Sequence, residues 1–199
     1  MECATNRILS ALVMKHAFAI AILCGFLAGC GAGPQSYYIL TADGPAPARG
    51  GHGIGVGPVI VADYLARPNL VVQEQPNQLA IASDHRWAGT LDASIARVTA
   101  NNLGRRAGTG NVRVYPWPRD EGLRYQVTLD VREFHAAADG HAVIEAGWRV
   151  FALPERRLVA SRTFTAREPL ERDGYQAMVA AQSRLLSRLA DEIAPALAK

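Results

Sequence analysis

Leu123-Arg124-Tyr125-Gln126-Val127-Thr128-Leu129-Asp130-Val131-Arg132 alternates apolar and polar side chains without a break. Successive side chains of a strand point to opposite faces, so this stretch predicts a strand with one face in a core and the other wet. The parity fails at Phe134, an aromatic residue on the polar face, which predicts a bulge near Glu133. Asp139-Gly140 is a hairpin turn signal. Beyond it, His141–Ala152 puts Ile144, Ala146, Trp148 and Val150 on one face, which assigns Trp148 to the core. Pro154 opens a second turn, and Leu158–Ala166 reads as a third strand. Strands joined this closely pair antiparallel, as a meander.

Two helical patterns flank the meander. Downstream, Tyr175, Met178, Val179, Gln182, Leu185, Leu186, Leu189, Ile193 and Leu197 recur at helical spacing, with Arg184, Arg188, Asp191 and Glu192 on other faces. Asp173, with Gln176 three residues later, predicts a capping box, and Pro195 ends or kinks the helix. Upstream, Leu91, Ile95, Val98 and Leu103 mark the buried stripe of a helix over Leu91–Arg106. Thr90 is its expected N-cap, Asp92 suits the first turn, and Gly108 closes the end. Still earlier, Ser36–Leu40 and Ile54–Ala62 read as strands, Asp63–Asn69 as a turn around Pro68, and Leu70–Gln73 with Gln78–Ala82 as a hairpin. The expectation is an α+β fold: an antiparallel sheet of about seven or eight strands with two amphipathic helices packed on one face.

The N-terminal segment has a different character. Met14-Lys15-His16 precedes an apolar run from Ala17 to Ala28, too short to span a bilayer and typical of an export signal. Met14 reads as the better start, with Met1–Val13 upstream of it. Leu27-Ala28-Gly29-Cys30 has the form of a bacterial lipobox, in which small residues fit the peptidase cleft and the cysteine thiol takes the lipid. The expected organisation is a signal peptide over 1–29, a lipidated tether over 30–35 and one domain over 36–199. Cleavage removes Cys3 and Cys24 and leaves Cys30 alone, so no disulfide or thiolate metal site is available. Stability must then come from a hydrophobic core, and 170 of the 199 residues remain to build one. The remaining chain carries a net charge of only +2 once Arg7, Lys15 and Glu2 are gone, against +3 for the whole. A charge so small argues against nucleic acid as a partner. Arg105-Arg106 and Arg156-Arg157 read as solvated surface.

Little in the sequence points to catalysis. Gly53, Gly55 and Gly57 invite a phosphate-loop reading, but Pro58 and a β-rich run follow where such a loop needs a helix. Glycines two apart suggest instead a strand whose backbone is closely approached. Among the histidines, His135 and His141 flank one turn and read as a surface pair rather than a zinc site. Asp84-His85 are neighbours on a strand and point to opposite faces. Arg86-Trp87 leaves two readings open: Trp87 packs at the sheet edge, or the pair is a partner-facing anchor of the kind enriched in interface hot spots. Trp117, between Pro116 and Pro118, sits in a loop and carries the same ambiguity. The chain is read as a non-enzyme with no cofactor and no metal.

The ordered set of motifs carries a resemblance. Tyr37-Tyr38-Ile39-Leu40, Ile54-Gly55-Val56-Gly57-Pro58-Val59, Asp63-Tyr64-Leu65-Ala66-Arg67-Pro68, Asn77-Gln78-Leu79, Arg86-Trp87-Ala88 and Ile95-Ala96-Arg97-Val98 follow one another along the chain. With Trp117 and the strand ending in Phe134, this series resembles the PqiC-type auxiliary lipoproteins of transport systems over nearly the whole chain after Cys30. The resemblance implies a periplasmic lipoprotein that works with an MCE-domain protein bridging the two membranes and docks it at the outer membrane. Gly31, rather than the Asp of inner-membrane retention, fits outer-membrane sorting. Arg86 and Trp87, with Arg67 next, are the expected partner contacts, and homo-oligomerisation through exposed strand edges is a further expectation. The rival is a lipid carrier with an acyl chain sheltered under the helices, which requires a sizeable apolar pocket.

Overall fold

A computed structural model describes residues 34–45, 50–117 and 122–198. The export signal and Cys30 lie outside them. The elements are β1 (Ser36–Tyr38), β2 (Gly53–Val61), β3 (Asn69–Gln75), β4 (Gln78–Trp87), α1 (Leu91–Arg106), β5 (Val112–Val114), β6 (Leu123–Ala136), β7 (His141–Ala152), β8 (Arg157–Pro169) and α2 (Tyr175–Ile193). A 3-10 turn over Ala194–Ala198 follows α2 at Pro195.

The meander forms as the alternation predicts. β6 pairs β7 from Tyr125↔Ala152 to Ala136↔Ala142, and β7 pairs β8 along its length, both antiparallel. The register slips between Val131 and Glu133, which returns Phe134 to the buried face. Leu123, Tyr125, Val127, Leu129 and Val131 are buried with Ala142, Ile144, Ala146, Trp148 and Val150. Gly140 takes the left-handed conformation that the Asp139-Gly140 turn requires.

The rest of the sheet corrects the antiparallel expectation, because it is mixed. β2 pairs parallel with β6, β5 parallel with β2, and β1 parallel with β4. Only β3–β4 is a further antiparallel hairpin. Parallel neighbours need a crossover, and the segment containing β3, β4 and α1 supplies the one between β2 and β5. β6 is the hub. β7 covers one edge, while the other meets β2 from Leu123 to Val131 and then β3 at Ala136, so the sheet forks and curls there.

α1 packs on β2 and β5, α2 packs on β6, β7 and β8, and the helices contact each other. The end of α1 is a Schellman closure: Gly108 N–H reaches Arg105 O and Thr109 N–H reaches Gly104 O. Thr90 is the N-cap of α1, but its side chain makes no capping bond. The capping box predicted for α2 is corrected by one residue: Gly174 is the cap, and Gln176 Oε1 accepts from Arg172 instead. Arg106 is not solvated surface. Its guanidinium donates to Ser187 O (2.9 Å) and Ser187 Oγ (2.7 Å) and pairs with Asp191, tying the two helices together.

Candidate functional site

The sequence-predicted contacts Arg67 and Trp87 meet in one apolar cleft of about 630 Å³. Val59, Ile60 and Val61 of β2 form one wall, and the start of α1 from Gly89 to Asp92 forms another. The 62–68 turn carries Arg67 to it. Leu65 anchors this turn by burial, and Tyr64 anchors it by donating its hydroxyl to Arg132 O (3.0 Å) and setting its ring edge-on against His135. Burial, reinforced by the nearby Glu133 carboxylate, pushes the Tyr64 hydroxyl up to about 12, so it stays a donor at neutral pH. Trp87 N–H donates to Pro68 O (2.7 Å), which latches the end of β4 to the same turn.

Trp87 is 5% exposed and belongs to the core. Packing therefore accounts for most of its surface, and the cleft receives only the part that lines it. Arg86 is not among the residues lining this cleft. The Nε atoms of Arg67 and Arg86 are both buried and without a hydrogen-bond partner among the described residues. A buried donor left unpaired costs roughly 1–3 kcal/mol. A second, smaller cleft of about 290 Å³ lies between Val56–Val59, Tyr115 and the first turns of α1, and shares Val59 and Asp92 with the first.

Ile60 was missed from sequence as a site residue, although a signal existed. Val59-Ile60-Val61 is an unbroken apolar run in a strand, so one of the three must leave the core face. Ile60 does so and is 61% exposed.

The glycine series does what its spacing suggests. A Cβ on Gly53 would stand 2.1 Å from Gly122 O, and one on Gly55 would stand 2.7 Å from the Trp117 ring. Trp117 thus packs over the β2 backbone and, edge-on, against Tyr115. The histidine pair is corrected: His135 is buried and contacts Tyr64, while His141 meets Asp139. Asp139 is held below the usual carboxylate range, chiefly by its hydrogen bond from Arg167. His85 lies against Tyr38 Oη (2.8 Å) and stacks on Tyr175. Among the described residues, no group of three or more His, Cys, Asp or Glu is placed to hold a metal. No helix among them is long and apolar enough to cross a membrane.

Comparison with known proteins agrees with this architecture. The chain is 26% identical over 181 residues to the intermembrane transport lipoprotein PqiC of Escherichia coli K12, covering 88% of this chain and 94% of that one. It matches the crystal structure of an uncharacterized protein with a TM-score of 0.68 and 26% identity, covering 82% of this chain and 99% of the other. A structure from Xanthomonas campestris has the same fold, with a TM-score of 0.63 and 22% identity over 79% of this chain and 92% of its own. Residues 38–194 match the profile of the ABC-type transport auxiliary lipoprotein component. With that match spanning β2 to β8, both helices and the cleft, the chain belongs to the ABC-type transport auxiliary lipoprotein family.

Proposed function

We propose that this protein is a lipid-anchored periplasmic auxiliary subunit of an intermembrane, MCE-type lipid transport system, and that it docks the bridging MCE-domain partner at the outer membrane. Residues 1–29 are the export signal, Cys30 takes the lipid, 30–35 tether it, and 36–199 form the docking domain. The observation that carries the reading is the family match over 38–194, together with the likeness to an intermembrane transport lipoprotein. The family is one of transport auxiliary components rather than of known enzymes. The partner contact lies on the domain, at the cleft of Arg67 and Trp87, with Arg86 next to it in sequence.

Beneath α2 the rival acyl-chain shelter finds no space. Leu185, Leu186, Leu189 and Ile193 have no exposed surface, nor do Val127, Val131 and Val150. A void wide enough for water would leave such side chains accessible, so that layer is filled.

Fractionation of cells expressing Cys30→Ser tests the anchor: the variant should leave the outer-membrane fraction. A variant that stays there, unchanged in size and lipid labelling, would remove the lipoprotein reading. Deletion of the chain tests docking, because it should reproduce partial loss of the MCE partner with a weakened outer membrane. An intact barrier in a strain whose partner deletion does weaken it would contradict the docking role.

A further inference from the structure

We infer that the groove along the open edge of β2 takes an extended peptide strand bearing a carboxylate, which pairs with the backbone of Val59 and Val61, lays an apolar side chain against Trp87 and sets its carboxylate on Arg67. The inference rests on the docking reading for the source of the peptide. It adds the kind of ligand and its mode of binding.

The strand edge is the first argument. β2 is paired on its β6 side from Gly53 to Val61, with an irregularity between Val56 and Val59, but β5 covers the opposite edge only from Ile54 to Val56. Tyr115 N–H bonds to Val56 O (2.9 Å), and beyond it no described strand pairs with that edge. Ala62 N–H points to Val131 O on the β6 side. Backbone groups alternate along a strand, so those of Val59 and Val61 turn to the open edge. Natural sheets protect such edges with charges, prolines or covering segments. Pro58 precedes this stretch, but Val59-Ile60-Val61 carries no charge, and Ile60 stands out to solvent.

The shape beside that edge fits an added strand. The two clefts share Val59 and Asp92, so they form one groove running between β2 and the first turns of α1. A strand laid there would continue the line of β5. The recognition mode is strand addition, in which backbone bonds give affinity and pockets for alternate side chains give selectivity.

Charge supplies the third argument. Arg67 lines the larger cleft with an unpaired, buried Nε. Its guanidinium presents a fork that a carboxylate fits. Asp92, common to both clefts, disfavours a second acidic group along the groove. An acyl chain would use neither Arg67 nor the free backbone groups.

The test pans a phage-displayed random heptapeptide library against the full chain in lipid nanodiscs, and measures a fluorescein-labelled selected peptide by anisotropy. Enriched peptides should alternate apolar residues and share one acid. Arg67→Glu and Ile60→Lys should each weaken binding tenfold or more at an unchanged melting temperature. In the unaltered protein, added peptide should slow amide exchange at Val59 and Val61, a readout independent of whether the variants fold. Several results would overturn the inference: no enrichment over empty nanodiscs, binding indifferent to both substitutions, or unprotected Val59 and Val61 amides in the bound state. Self-association abolished by Ile60→Lys, without peptide binding, would assign the edge to a second copy and overturn it too. These measurements read the groove alone, while the deletion phenotype reads the docking role, so either can fail without the other.

Discussion

The meander β6–β7–β8 with α2 and the half built from β1 to β5 with α1 solve the same folding problem differently. In the first, short turns join neighbours, every pairing is antiparallel, and the layer under α2 is filled. In the second, four pairings are parallel, one edge stops short, and an apolar groove with an unpaired arginine Nε stays open. The contrast separates a filled half from an open one with β6 as the seam, and the docking reading assigns recognition to the open half. Substitutions in the filled half should register as stability, and those on the groove rim as binding.

Trp87 tests where that boundary runs. It lines the groove, yet it is buried, so Trp87→Ala should cost about 3–5 kcal/mol in denaturant unfolding, as buried aromatic truncations do. A loss below about 1 kcal/mol would move Trp87 to the recognition side. Leu189, with no exposed surface on α2, should lose about 2–5 kcal/mol as Leu189→Ala. A loss under half that range's lower bound would mean the α2 layer is looser than its burial implies.

Gly53→Ala probes the seam itself. Its added methyl would meet the Gly122 carbonyl, which is backbone and cannot swing away. Roughly 1–3 kcal/mol should be lost, toward the upper end of ordinary overpacking. An unchanged melting temperature would show that the β2–β6 approach relaxes easily.

Tyr64 gives a smaller, pH-dependent effect. Its pKa is raised from 10.0 to about 12 in the folded protein, so folding favours the neutral hydroxyl. That contribution is complete below pH 10 and is lost as pH rises through about 12. Stability of the unaltered protein should therefore fall more steeply than that of Tyr64→Phe across this window, while the variant gives up roughly 0.5–1.5 kcal/mol at neutral pH with its bond to Arg132 O. Parallel curves for the two proteins would contradict the burial assigned to Tyr64.

The sequence made the filled half legible because its determinants are local. The alternation over 123–132, the parity break at Phe134 and the Asp139-Gly140 turn each name their own consequence within a few residues. The parallel pairings of β1, β2 and β5 depend on partners far along the chain, and a strand as short as Val112–Val114 carries no period to detect. The site was half legible for the same reason. Arg67 and Trp87 line one cleft and Arg86 does not, and only the fold brings Ile60 and the start of α1 to meet them. Arg106 shows the limit of reading charge as surface, since its partners lie on a helix more than eighty residues away.

The most direct test of the account is co-purification of the lipidated protein with its membrane partners, run side by side for the unaltered chain and Arg67→Glu. The account predicts that an MCE-domain protein accompanies the unaltered chain and is lost from Arg67→Glu, while the melting temperature of the two chains is the same. Recovery of that partner with Arg67→Glu at full yield, or its absence from both preparations, would contradict it.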